Sequence, residues 1–193
     1  MSRLLKKFWS MYLKYKYRNM ATISKDVFFG LTAKLIHSGL KENLIIEEGV
    51  SIHGVINVCD GAKFSIGKNS TIRYRTEIDV SREIKIGNNV IISNNVIISD
   101  NNSHPTDVIA RNRMCESGHE SDLWDRRLSV AKPIEISDSV WIGRRSMVNK
   151  GVILGYGSIV AAGAIVTKDV PQNSLAYGNP AMTKPLKSFS LPS

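Results

Sequence analysis

An aliphatic residue returns at every sixth position along most of this chain. From Ile136 the series runs through Ile142, Val148, Leu154, Val160 and Val166. An earlier series runs through Ile46, Ile52 and Val58, then Ile66, Ile72, Ile78 and Ile84, then Ile86, Ile92 and Ile98. A period of six does not keep one helix face. At about 100° per residue each step advances roughly 240°, so the apolar residues would spiral round the helix. In extended chain an even period points every marked side chain the same way. Short strands stacked with these residues inward make a parallel β-helix, an all-β architecture. Gly67, Gly87, Asn88, Asn89, Gly143, Gly155 and Gly163 fall between the apolar positions, where residues that tolerate positive φ suit tight corners. The pattern skips two residues between Phe64 and Ile66 and again between Ile84 and Ile86, which predicts a small bulge at each of those corners.

The periodicity also divides the chain. Residues 1–40 read as an N-terminal arm, helical at first. Residues 41–187 read as the repeat domain, with a first run of coils over 44–103 and a second from Pro133 to about Pro171. Residues 188–193 read as a tail. Residues 104–133 break the pattern and form a long loop rich in charge, including Asp107, Arg111, Arg113, Glu116, Asp122, Asp125, Arg126 and Arg127. A long loop projecting from a regular scaffold is functional or disordered.

Composition narrows the setting. A chain of 193 residues can bury a real core as one domain. Its two cysteines, Cys59 and Cys115, sit far apart and in no metal or redox spacing, which favours a reduced, cytoplasmic chain. No run of eighteen apolar residues and no signal-peptide pattern is present in the sequence. The net charge of +9 is uneven: residues 1–20 hold Arg3, Lys6, Lys7, Lys14, Lys16 and Arg18 and no acid. Leu4, Leu5, Phe8, Tyr12 and Tyr15 recur among them at near-helical spacing. Such a basic amphipathic helix over residues 1–18 either lies on an anionic membrane surface or docks on its own domain or a neighbouring subunit. Charge alone permits nucleic-acid binding, but no recognised motif supports it.

The chemistry concentrates where the first run of coils ends. His104 follows the last regular strand, and Pro105 biases it to extended backbone. A rigid scaffold beneath an exposed imidazole is what a general base needs. His37, His53 and His119 lack such a setting and read as structural. Four motifs then appear in order: His104-Pro-x-Asp107; Pro133-Ile-x-Ile-x-Asp-x-Val-Trp141-Ile-Gly143; Gly163-Ala-x-Val-Thr167-Lys168-Asp-Val-Pro171; and Gly178-Asn-Pro180-Ala181. Over about residues 44–187 this set resembles the hexapeptide-repeat O-acetyltransferases, near the galactoside and maltose enzymes and the acetyltransferases of capsule and O-antigen sugars.

The resemblance implies a left-handed β-helix, a homotrimer, and acetyl-CoA held in the cleft between neighbouring coils, with no metal. It makes His104 the base that takes a proton from a sugar hydroxyl and places Trp141 beside the acetyl group. Gly143 and Ala162 would let the pantetheine lie close to backbone, and Thr167 and Lys168 would contact the CoA end. Two departures concern the acceptor. The simple-sugar enzymes carry an acceptor-binding Asn in the coil after an Ile-Gly-x-Asn motif; here that motif is Ile66-Gly67-Lys68-Asn69 and the coil reads Ile72-Arg73-Tyr74-Arg75. Their N-terminal region is acidic, and here it is basic. Arg73 and Arg75 suit an acidic sugar or sugar nucleotide, with Asp107 as a further acceptor contact. Met182 stands where the family usually has Arg or Lys, so Lys184 or Lys187 would supply that phosphate contact. The expectation is O-acetylation of a surface polysaccharide or its precursor. The alternatives are N-acetylation of an amino sugar nucleotide and a non-catalytic trimeric scaffold. A zinc enzyme on this scaffold would need three His ligands, and the four histidines show no ligand spacing.

Overall fold

The structure, a computed structural model, describes residues 3–187. Three sheets of six, eight and six strands, parallel except for the last strand of the second, wrap one core, and each turn of chain lends one strand to each sheet. The result is a left-handed parallel β-helix. The first turn is formed by Thr22–Ile23, Phe28–Phe29 and Lys34–His37. The repeats therefore begin inside the segment that reads as an arm from sequence. Their inward residues Ile23, Phe29 and Leu35 keep the six-residue spacing, but an aromatic among them hides the aliphatic series.

The two skips are not bulges. Phe64 and Ile66 both lie in the strand Lys63–Ile66, and Ile84 and Ile86 both lie in Glu83–Ile86. These pairs stack in register with Leu44 and Ile46 below and Ile134 and Ile136 above. A spacing of two in extended chain returns to the same face, so these longer strands simply carry two inward residues each.

A second inward file lies two residues before each sixth-position residue. It includes Val50, Ser70, Thr76, Val90, Val96, Val140, Ser146, Ser158 and Ala164, all buried. Each follows a left-handed corner residue, respectively Gly49, Asn69, Arg75, Asn89, Asn95, Ser139, Arg145, Gly157 and Gly163, with φ from 55° to 73°. The corner turns the chain, and the next small side chain fills the space inside it. Three of the four buried hydroxyls in this file, those of Ser70, Thr76 and Ser146, are hydrogen-bonded: Ser70 Oγ donates to Gly87 O at 2.8 Å and accepts from Val90 N at 2.9 Å. Such bonds tie one turn to the next.

Helix α1, Arg3–Tyr17, docks on the first turn through Ser10, Leu13 and Tyr17. Ser10 Oγ accepts from Phe29 N at 2.9 Å, and Tyr17 meets the Phe29 ring edge-on at 5.7 Å. The opposite side of α1 is apolar and exposed, with Leu4, Phe8, Met11 and Tyr15 along it and Leu5 and Tyr12 beside them.

The long loop is closed at its neck. Asn101 and Ala131 form an antiparallel bridge, Lys132 N donates to Asp100 O at 2.8 Å, and Asn102 N donates to Val130 O at 3.2 Å. The fully buried Asp100 carboxylate accepts from the backbone N–H groups of Ser81, Arg82 and Glu83, each at 2.8 Å. Within the loop lies a second helix, α2, Val108–Glu116, followed by single helical turns at Asp122–Trp124 and Arg126–Leu128. Arg126 pairs with Asp79 at 2.6 Å and ties the loop to the third sheet. After the last turn, Ser174–Tyr177 and Met182–Pro185 form an antiparallel hairpin that ends the second sheet.

Candidate active site

A cavity of about 690 Å³ lies on the outer surface of the second sheet. Its floor is a file of outward residues in register, Thr71, Ile91, Trp141 and Ile159. Each stands one place before an inward residue, so the alternation that builds the core also lines up this floor. Trp141 is 49% exposed, and its Nε1 donates to Ser93 Oγ at 3.3 Å. Arg73, Ser93, Asn94, Gly143, Arg144 and Ala162 complete the walls along the corner that leads to the third sheet. No Asp or Glu lines the cavity, so its local field favours an anion.

Four residues picked out in the sequence thus come together here: Arg73, Trp141, Gly143 and Ala162. Gly143 has a structural reason to lack a side chain. A Cβ there would lie 2.6 Å from Ala162 N and 2.7 Å from Val160 O, so the bare position lets two turns stack closely. Arg75 sits at the same corner with φ 56°, two turns of chain from Arg145 at φ 58°, with Asn95 at the turn between them. Among the described residues, Arg73, Arg75, Arg144 and Arg145 have no acidic partner.

His104 is not among the residues that line this cavity. It leaves the third sheet after the strand Ile97–Ser99, at the opposite edge of that sheet. The turn beneath it is fixed locally: Asn101 Oδ1 accepts from Ser103 N at 2.7 Å, Ser103 takes φ 62°, and His104 N donates to Asn102 O at 2.7 Å. The turn throws the imidazole outward, exposed, with its ring edge-on to Trp124 at 5.8 Å. Trp124 in turn stacks on His119 at 4.5 Å, and its buried Nε1 has no hydrogen-bond partner. Thr167 and Lys168, both exposed, follow the third-sheet strand Ile165–Val166 and so share the His104 edge rather than the cavity edge. Asp107 is engaged as the N-cap of α2, accepting from Ala110 N at 2.8 Å. Lys184 lies over the Tyr177 ring at 5.2 Å, and Lys187 is exposed. The candidate residues therefore fall on two edges of the β-helix with the third sheet between them.

Comparison with known proteins agrees with this architecture. Residues 133–168 match the family described as "Hexapeptide repeat of succinyl-transferase". A putative acetyltransferase of Schizosaccharomyces pombe is 46% identical over 87 residues, covering 45% of this chain and 35% of that protein. Matches to such curated relatives span about a third of their length. Among solved structures, a hexapeptide-repeat-containing acetyltransferase of Vibrio cholerae, in complex with acetyl coenzyme A, is 30% identical over 72% of each chain with a TM-score of 0.57. The polySia-specific acetyltransferase NeuO is 30% identical, covers 89% of this chain and 73% of its own, and superposes with a TM-score of 0.70. This chain belongs to the hexapeptide-repeat acetyltransferases.

Several wall residues of the cavity escape a motif-based reading: Thr71, Ile91, Ser93, Asn94, Arg144 and Ile159. The signal for them is register, since each occupies a fixed offset from an inward residue on the second sheet. Helix α2 also escapes, because Met114 is its one buried residue and no apolar stripe forms. His37 is buried, with its two ring nitrogens 3.2 Å and 3.0 Å from the carbonyls of Val58 and Leu40. Among the described residues no cluster of His, Cys, Asp and Glu side chains could hold a metal ion, and no helix is long and apolar enough to cross a membrane.

Proposed function

We propose that this acetyltransferase moves acetyl from acetyl-CoA to a hydroxyl of a surface polysaccharide or its precursor sugar, in a site completed by two chains of a homotrimer. One observation carries the reading: the Trp141 cavity and His104 lie on different edges of the same chain. In a threefold assembly one protomer's cavity edge can face its partner's loop edge, which brings a base to a cavity that has none. Acetyl-CoA suits the cavity's volume, its apolar floor and its arginines without carboxylates. Gly143 and Ala162 would let the pantetheine lie close to backbone, and Lys168, Lys184 and Lys187 would form a cationic approach for its phosphates with the Thr167 hydroxyl as a further donor.

The chemistry needs one proton moved twice. A sugar hydroxyl attacks the thioester carbon weakly until its proton is taken. The neutral His104 imidazole accepts that proton as the C–O bond forms. A backbone N–H at the cavity corner stabilises the oxyanion. The C–S bond then breaks, and the imidazolium returns the proton to the departing thiolate. Arg73 and Arg75 pair with a carboxylate or phosphate on the acceptor, which favours an acidic glycan over a neutral one.

The exposed apolar side of α1, with Lys7, Lys14 and Arg18 along one flank and Lys16 on the other, suits the surface of an anionic membrane where glycan precursors are assembled. The free thiols of Cys59 and Cys115 fit a reducing, cytoplasmic location.

The test is thiol release from acetyl-CoA against a panel of acidic and neutral polysaccharides and sugar nucleotides. Acidic glycans should be acetylated, and the product should lose acetyl in mild alkali as an ester does. An alkali-stable product would make the enzyme an N-acetyltransferase, and no turnover with any hydroxyl acceptor would remove the O-acetyltransferase reading.

A further inference from the structure

A second hollow lies on the same face, beside the Trp141 cavity. It measures about 220 Å³ and sits where α1 meets the first three turns. Its walls include four aromatic rings from four different segments: Trp9 of α1, Phe28 of the first turn, His53 of the second and Tyr74 of the third, with Lys6 beside them. His53 is clasped between Phe28 and Tyr74, with ring centroids at 5.7 and 4.5 Å. Its Nε2 bonds Ser51 Oγ at 3.2 Å, and its Nδ1 faces Gly30 so closely that a Cβ there would lie 2.1 Å away. Burial, then the charges of Arg73 and Lys6, hold His53 below its usual pKa, so the hollow keeps an uncharged ring. Trp9 and Tyr74 remain 39% and 40% exposed, so their faces are held at a wall rather than spent in the core.

The two hollows share a wall. Arg73 lines the cavity, and the next residue, Tyr74, lines the aromatic hollow. The Arg73 guanidinium lies over the Tyr74 ring at 5.7 Å. Neighbouring strands are spaced about 4.8 Å apart, so the five spacings from Phe28–Phe29 to Ile159–Val160 make one track of roughly 24 Å. Lys6, Arg73 and Arg144 stand along it, and neither hollow is lined by an Asp or Glu.

We infer that the aromatic hollow is a second acceptor subsite, holding one unit of an anionic glycan chain while the unit to be acetylated lies at the Arg73 end of the Trp141 cavity, beside the acetyl group of the acetyl-CoA that fills the rest. This rests on the glycan acceptor proposed above and adds that the enzyme selects chains over single sugars. A pyranose ring offers a flat face of C–H groups that stacks on aromatic rings, and its carboxylates pair with Lys6 and Arg73. A purely apolar ligand would have no use for the cations, and an isolated phosphate would have none for the rings.

The test uses oligomers of one to eight sialic acid units as the anionic series and malto-oligosaccharides of matched length as the neutral series. Calorimetric titration of the wild type should show affinity for the anionic series rising with length and then levelling, with the neutral series weaker at each length. Tyr74→Ala and Trp9→Ala should each cost about three- to tenfold in affinity for the long anionic oligomers and leave the single unit unchanged. Tyr74→Phe keeps the ring face and should bind as the wild type does. If Tyr74→Ala does not fold, Trp9→Ala on the outer helix carries the same comparison. Length-independent affinity in the wild type, equal losses for short and long oligomers, or binding by neither series would overturn the subsite. Length-dependent binding without thiol release from acetyl-CoA would keep the subsite and remove the transferase reading; thiol release without length dependence would do the reverse.

Discussion

His104 owes its exposure to two residues and to the neck of the loop beneath it. Asn101 holds the turn through its side chain, Ser103 takes the left-handed corner, and the neck of the loop keeps both in place. The imidazole contributes little to the core, so removing it tests chemistry rather than folding. His104→Ala should lower turnover by roughly two to four orders of magnitude at unchanged melting temperature. A folded variant that keeps more than about a tenth of wild-type turnover would contradict a general base. His53 gives the complementary case, a histidine that bears on stability. Its pKa is depressed in the folded protein, first by burial and then by Arg73 and Lys6. The unfolded chain therefore takes up a proton more readily, starting near pH 6.5. Stability is full above that pH, falls as pH drops below it, and levels once the folded-state pKa is passed. His53→Gln should remove that part of the fall, visible as a smaller loss of melting temperature between pH 7.5 and pH 5. An identical loss in the two proteins would show that His53 is not a source of it.

At the scale of elements, the core was the most legible part of the sequence, because a period of six in extended chain admits one geometry. Phe29 hides the first turn, and the two skips are not legible as single strands because a pair of inward residues in one strand looks like a break in the series. The loop was legible only as an interruption, since its anchors are long-range: Asp100 bonds backbone at Ser81 to Glu83, and Arg126 bonds Asp79. Those anchors predict a large effect. Asp100→Ala removes a buried carboxylate that three backbone N–H groups share, and the loss should reach roughly 3 kcal/mol in urea unfolding. A loss under about 1 kcal/mol would mean that water replaces the carboxylate. Helix α1 was legible as amphipathic but not in its orientation. The residues that dock it are Ser10, Leu13 and Tyr17, which leaves Leu4, Phe8, Met11 and Tyr15 facing away from the domain. Changing those four to Gln should lower binding to anionic vesicles while turnover of a soluble acceptor stays within about twofold. If the unaltered protein does not bind such vesicles, the stripe has another occupant, and a neighbouring protomer becomes the partner to examine.

In the proposed function the site becomes complete only at the scale of the whole assembly. Four of the residues that the motifs single out share one cavity, while His104, Thr167 and Lys168 lie across the third sheet from it. A chain acting alone has no route to bring the two edges together, because the strands between them are locked in register by the core. A threefold assembly can do so without bending anything. The distinction is measurable by mixing two inactive proteins. His104→Ala lacks the base and keeps the cavity. Ala162→Trp keeps the base and blocks the cavity, because Ala162 is an exposed wall residue whose enlarged side chain fills the space beside Trp141. Each should be inactive as a pure trimer. In trimers assembled at random from equal amounts, a site pairs an intact base with an intact cavity with a chance of one half times one half, so about a quarter of wild-type turnover should return. Light scattering on the same preparations should give three chains per particle. If the site lay within one chain, every chain in the mixture would still carry one defect, and turnover would stay at the level of the separate variants.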